Sequence, residues 1–156
     1  MDAKEGEGDE MLFDPSEKVS RLEFLVCAMD AFGAGNIPTP SDAGFADTDA
    51  IPEKYRGYVS SAKSLGIVSG VNEGGKMYFR GDDEITYAQA AVILNRIIGL
   101  ESDGTKAVGA DVPEWAYRDV CALTENGILD PYCNVSASVD RAGCAQIVCE
   151  AVRFFD

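Results

Sequence analysis

Arginine occupies the first position of two apolar helical runs, where a cation meets the positive end of the helix dipole and is disfavoured by up to ~1 kcal/mol. In "KVSRLEFLVCAMDAF" (Lys18–Phe32), Ser20 and Glu23 stand at the S-x-x-E spacing of a capping box, which puts Arg21 at the helix start. In "SVDRAGCAQIVCEAVRFF", Asp140 is the cap and Arg141 takes the same place. A third run, "EITYAQAAVILNRIIGL", sets Thr86 and Gln89 at capping-box spacing and carries Tyr87 in the arginine position. A guanidinium beside the N–H groups of a helix start makes a site for a carboxylate or a phosphate. The competing use is structural. Acidic residues outnumber basic ones 27 to 13, so each arginine has carboxylates with which to pair.

Trp115 and Tyr55 add aromatic faces of the kind that stack on the apolar C–H side of a sugar ring. The alternative for Trp115 is to pack an outer helix on the core with its indole N–H near solvent. Asp47 and Asp111 hold matching positions and could orient an arginine or accept sugar hydroxyls; an aspartate there also caps a turn and the helix after it. Nothing points to catalysis. The chain has no histidine, the commonest general base and zinc ligand. Cys27, Cys144 and Cys149 lie in apolar runs without an activating partner, where a thiol acts as a small hydrophobe. Most of the five cysteines are expected buried and reduced, with Cys121 and Cys133 the one pair placed to bridge a helix and its following loop. "NEGGK" lacks the spacing of a phosphate loop, and "DTDAIPEKYRG" and "GDDEITYAQ" lack the ligand order of a calcium loop. No cofactor and no metal is expected.

The elements that position these residues repeat. Val19, Ile85 and Val139 precede the three capped helices, and Gly66-Ile67 echoes Gly127-Ile128. Amphipathic helices are expected at about 52–65 and 114–126, from apolar residues recurring at three- and four-residue steps. The runs after Arg21, Tyr87 and Arg141 are apolar nearly all round and are expected to be buried. The fold class is therefore all-α: a pseudo-threefold bundle of three buried central helices with shorter amphipathic outer helices and long loops. Residues 1–10 are expected to be disordered, and residues 11–156 to form one domain. Its units are a partial first repeat at 11–33, a second at 45–100 and a third at 108–156. The breaker-rich stretches Gly33–Gly44 and Gly99–Gly109 join them. The first unit lacks an outer helix, so Leu25, Met29 or Phe32 should expose an apolar face unless a neighbouring chain or the Gly33–Gly44 linker lies over it.

A net charge of −14 argues against nucleic acid and against anionic lipid, because a phosphate surface requires clustered lysine and arginine. No stretch approaches the ~18 consecutive apolar residues of a membrane span.

In order, "FADTD", "YVSSAKSLGIVSG" and "MYFRGDDEITYAQAAVILNRI", then "ADVPEWAYRDVCALTENGIL" and "VDRAGCAQIV", resemble the S-layer homology repeat, and "MLFDPSEKVSRLE" resembles its second half. Trp115 falls twelve residues before Gly127, as in that family. The resemblance implies a three-pronged helical domain that anchors exported proteins, without catalysis, to the secondary cell-wall polysaccharide of a Gram-positive-type bacterium. That glycan is acidic and often pyruvylated. It would be held in grooves near Arg21 and Arg141, with Trp115, Asp47, Asp111 and Tyr87 as further candidate contacts. The implied location is extracellular, in the cell wall or S-layer. Departures are clear: Tyr87 stands for arginine, Gln89 and Gly143 for glutamate, and Gly81 for proline, while the third unit runs fourteen residues from Gly127 to Arg141 against twenty-one from Gly66 to Tyr87. Tyr87 in the arginine position and the missing outer helix of the first unit favour, as the alternative, a protein–protein interaction or assembly domain on the same fold with degenerate glycan sites. Were the arginines to bind an anion, both should be open to solvent, free of carboxylate pairs, and flanked by helix-start N–H groups.

Overall fold

The computed structural model describes residues 4–5, 11–12, 14–36, 42–105, 109 and 111–156. Its five α-helices are α1 (Arg21–Ala31), α2 (Glu53–Ser64), α3 (Tyr87–Ile98), α4 (Tyr117–Glu125) and α5 (Arg141–Phe155). Two short antiparallel pairs join them: β1 (Lys4–Glu5) with β2 (Met11–Leu12), and β3 (Val71–Glu73) with β4 (Lys76–Tyr78). Of the N-terminal segment expected to be disordered, Lys4 and Glu5 thus sit in a strand, and the rest of 1–10 lies outside the described residues.

The caps legible in the sequence form as written. Ser20 and Glu23 make a reciprocal capping box on α1, Thr86 and Gln89 make another on α3, and Asp140 accepts from the Gly143 N–H at 2.7 Å on α5. The amphipathic helices appear where the periodicity placed them, except that Glu114–Ala116 winds as a 3-10 turn before α4. Gly70 closes the "GIVSG" turn after α2 with φ +80, and a Cβ there would lie 2.5 Å from the Phe45 ring and 2.9 Å from the Tyr78 carbonyl. Only glycine fits both constraints.

The core is a single apolar cluster drawing on α1 to α5 and the turns between them. Leu25 and Met29 are fully buried within the one chain. α1 packs on α2, α3, α5 and the 3-10 turn Ala34–Asn36, and Phe32 meets the Phe155 ring at 6.1 Å. The bare face anticipated for α1 is therefore covered without a second chain; residues 37–41 of the linker lie outside the described residues. The central helices are less thoroughly buried than their composition suggested. Glu23 and Asp30 on α1, Arg96 on α3, and Gln146, Cys149, Phe154 and Phe155 on α5 are exposed. Of these, Glu23, Asp30, Arg96 and Gln146 line the grooves and the cavity described below.

Backbone hydrogen bonds lock the three central helix starts together. The Val19 N–H donates to the Val139 carbonyl (2.9 Å), Val139 to Ile85 (2.8 Å), and Ile85 to Val19 (3.0 Å). The three bonds close a ring. This arrangement explains why a β-branched apolar residue precedes each cap, since all three are wholly buried at the point of closure.

Candidate functional site

The helix starts do not offer open N–H groups. On α1 the first two donors, Arg21 and Leu22, are taken by the Asp83 and Gly81 carbonyls (2.9 and 3.0 Å). On α3, Tyr87 and Ala88 donate to Ala137 and Val135 (3.1 and 2.9 Å), and on α5, Arg141 and Ala142 donate to Glu17 and Pro15 (2.9 and 3.0 Å). The third donor of each helix goes to its own cap side chain. Carbonyl oxygens from a turn elsewhere in the chain thus occupy the orphan donors of every central helix. The expectation that helix-start N–H groups share a groove with the arginines is overturned: any anion must be held by side chains.

Arg21 meets the expectation in part: it is half-buried where an open position was expected, but it borders a groove. Its Nε donates to the Phe79 carbonyl at 3.1 Å, and its guanidinium lies 5.5 Å from the Phe79 ring centroid. Burial pushes its pKa down, against the opposing pull of Asp83, but a guanidinium remains charged. Among the described residues it has no ion-pair partner. It lines a groove of about 330 Å³ with Arg96, Gln89 and Trp115, over an apolar floor that includes Ile67, Val68, Val92 and Ile93. Trp115 is 59% exposed, with its ring at the edge of this groove, as stacking on a sugar requires. Arg96 donates to the Ile67 carbonyl at 3.3 Å.

Arg96 escaped the sequence reading, although a signal was present. It is the tenth residue of α3, and the tenth residues of α1 and α5 are Asp30 and Glu150. A cation at that register occurs in this helix alone.

Arg141 departs from expectation. It is 5% exposed, and its Nη2 pairs with Glu17 Oε2 at 3.1 Å. The arginine faces the interior and a carboxylate, and it does not stand at the mouth of a groove. Its surroundings are those of an internal tie between the turn before α1 and the start of α5.

Tyr87 lines a second groove of about 270 Å³ with Asp130, Tyr132, Cys133 and Gln146 among others, none of them cationic. Burial is the main cause raising the Tyr87 pKa, with Asp140 adding to it, so the phenol stays neutral. A Cβ at Gly143 would run into the Tyr87 hydroxyl. The tyrosine at position 87 and the glycine at position 143 are therefore one steric fact. Gly143→Ala is expected to destabilise the chain by ~1–3 kcal/mol through overpacking, and Tyr87→Ala in the same chain should recover most of it in urea unfolding.

Asp47 is committed elsewhere. Its Oδ1 accepts from the Phe79 N–H and its Oδ2 from the Arg80 N–H, both at 2.8 Å, so it clamps the turn whose carbonyls close α1. Arg80 adopts a left-handed φ of 60 there. Asp47→Asn keeps one acceptor and turns an amide donor toward an N–H; a loss of ~1–2 kcal/mol in thermal or urea unfolding is expected. Asp111 is exposed and does not line the Arg21 groove. All five cysteines are free thiols. Cys121 is buried beside Tyr117, and Cys133 lines the Tyr87 groove; the two thiols that face each other are Cys27 and Cys144.

Residues 44–91 match the S-layer homology domain. The matched stretch runs from the turn before Asp47 through α2, the β3–β4 hairpin and the capped start of α3; it includes Ile67, Val68 and Gln89 of the Arg21 groove, while Arg21, Arg96 and Trp115 lie outside it. S-layer homology domains are non-catalytic modules that anchor surface proteins to cell-wall polysaccharide. No curated protein matches the chain.

Proposed function

We propose that the chain is a cell-wall anchoring module that grips an acidic, pyruvylated secondary cell-wall polysaccharide in the groove of Arg21, Arg96 and Trp115. The observation that carries this reading is the make-up of that groove: two guanidiniums and an exposed indole around an apolar floor. A pyruvyl ketal sugar presents one carboxylate, polar hydroxyls and a C–H face, which are the three features such a groove can engage. In this reading three S-layer homology units, the first partial, lie around a pseudo-threefold axis. The closed ring of Val19, Ile85 and Val139 hydrogen bonds supports that symmetry, as does the rotation by which each turn closes a helix of another unit. One groove of the three is then cationic and active. The Tyr87 groove is uncharged apart from Asp130, and the Arg141 position is consumed by Glu17. The parent protein is exported and sits in the S-layer or wall of a Gram-positive-type bacterium.

The second reading is an assembly domain on the same fold, and the Arg141–Glu17 pair favours it, because it removes one arginine from ligand duty. Co-sedimentation with purified cell-wall sacculi separates the two. Binding that disappears once acid strips the polysaccharide supports the anchor. Binding retained on stripped sacculi, or none to either, refutes it.

A further inference from the structure

The helices α1 and α5 run side by side from the Val19–Val139 hydrogen bond at their starts to the Phe32–Phe155 ring contact at their ends. Between those two contacts the Cys27 and Cys144 side chains meet, thiol to thiol. Cys144 is wholly buried, whereas Cys27 is half-buried and lines a cavity of about 260 Å³ with Glu23, Asp30, Asp82 and Tyr55. One sulfur can therefore be reached from solvent and the other only through the first. The three carboxylates outnumber Lys54, whose ammonium lies 4.7 Å from the Tyr55 ring centroid, so the entrance favours cations over anions.

We propose that Cys27 and Cys144 are a redox-active dithiol, which a cationic or neutral low-molecular-weight disulfide entering beside Glu23, Asp30 and Asp82 converts to an intramolecular disulfide joining α1 to α5. The Cys27 thiolate attacks one sulfur of the small disulfide, forming a mixed disulfide and releasing one small thiolate, which takes up a proton. The Cys144 thiol, losing its proton, then attacks the Cys27 sulfur from inside and expels the second small thiolate, which is protonated in turn. Two protein thiols and one small disulfide become one protein disulfide and two small thiols; two electrons pass to the oxidant. Access supports this order: Cys27 is the thiol that the cavity reaches, and Cys144 lies behind it in the core. The proposal is independent of glycan binding, since neither thiol lines the Arg21 groove.

The test uses the full chain carrying Cys149→Ser, which removes the exposed thiol, treated under native conditions with cystamine, hydroxyethyl disulfide or oxidised glutathione. Peptide mapping without reductant should give a Cys27–Cys144 cross-link in the monomer. Cystamine should react at least about tenfold faster than oxidised glutathione at low salt, with the gap narrowing as salt rises. Cys144→Ser should stop at the mixed disulfide on Cys27, and Cys27→Ser should leave Cys144 reduced. A mixed disulfide that persists on Cys27 while Cys144 is intact, or both cysteines remaining reduced in the folded chain, overturns the proposal. Faster reaction with oxidised glutathione than with cystamine overturns the entry route. Should the Cys144→Ser chain fail to fold, the map of the chain with both thiols decides by itself.

Discussion

Removing both guanidiniums of the groove, with Arg21→Ala and Arg96→Ala in one chain, is expected to weaken binding to the acidic polysaccharide by roughly 100-fold or more. Each charge-assisted contact is worth ~1.5–3 kcal/mol, and a factor of ten in affinity corresponds to ~1.4 kcal/mol. Arg21 has a second, structural task in its bond to the Phe79 carbonyl and its stacking over the Phe79 ring. Some loss of stability, ~1 kcal/mol, accompanies its truncation, so affinity must be measured well below the melting transition. The Arg96→Ala single variant separates the two tasks, because Arg96 is exposed and its side chain makes one long bond to a carbonyl. Tyr87→Ala should leave binding within about twofold, since its groove holds no cation. Titration of polysaccharide fragments by calorimetry reads all four chains. Equal affinity for the unsubstituted chain and the double variant would end the assignment of the groove.

Glu17→Ala is expected to produce the largest fall in stability, ~3–5 kcal/mol, by leaving the Arg141 guanidinium buried without its carboxylate. Glu17→Ala with Arg141→Met should restore most of that loss, because an apolar side chain of similar length suits the same site. Urea unfolding of the single and double variants checks both. A single variant as stable as the unsubstituted chain would show that Arg141 is not held by the pair. The folded fraction of either variant should bind polysaccharide normally, since Arg141 and Glu17 do not line the Arg21 groove. The two arginines that look alike in the sequence thus answer to different measurements: Arg21 to affinity, Arg141 to stability.

Much of the fold was legible because its signals are local. Ser20 with Glu23, and Thr86 with Gln89, specify a helix start through contacts three residues apart, and both boxes form. The periodicity of Tyr58, Val59 and Ala62 placed α2, and the "GIVSG" glycines placed its end. The candidate site was half legible. Arg21 and Trp115 do share a groove, yet the sequence marks Arg96 only as a cation at an unusual register; its partnership with Arg21 depends on both lining one groove in the folded chain. Asp47 read equally as a ligand or a cap. It became a clamp on Phe79 and Arg80 only through a contact across 32 and 33 residues.

The sequence by itself determined the capped starts, the amphipathic outer helices, the repeated Gly-Ile turns and the surplus of acid. Each is fixed by the residue type and its neighbours within about one helical turn. The tertiary structure alone decided whether the first two N–H groups of each central helix remain open, and it closed them with carbonyls from turns 47 or more residues away along the chain. It likewise decided that Arg141 faces Glu17 and Arg21 faces a groove, and that Cys27 finds Cys144. The physical reason is that a charge or a thiol takes its role from what packing brings within a few ångströms. The three helix starts have nearly the same local sequence, but a different turn is packed against each one.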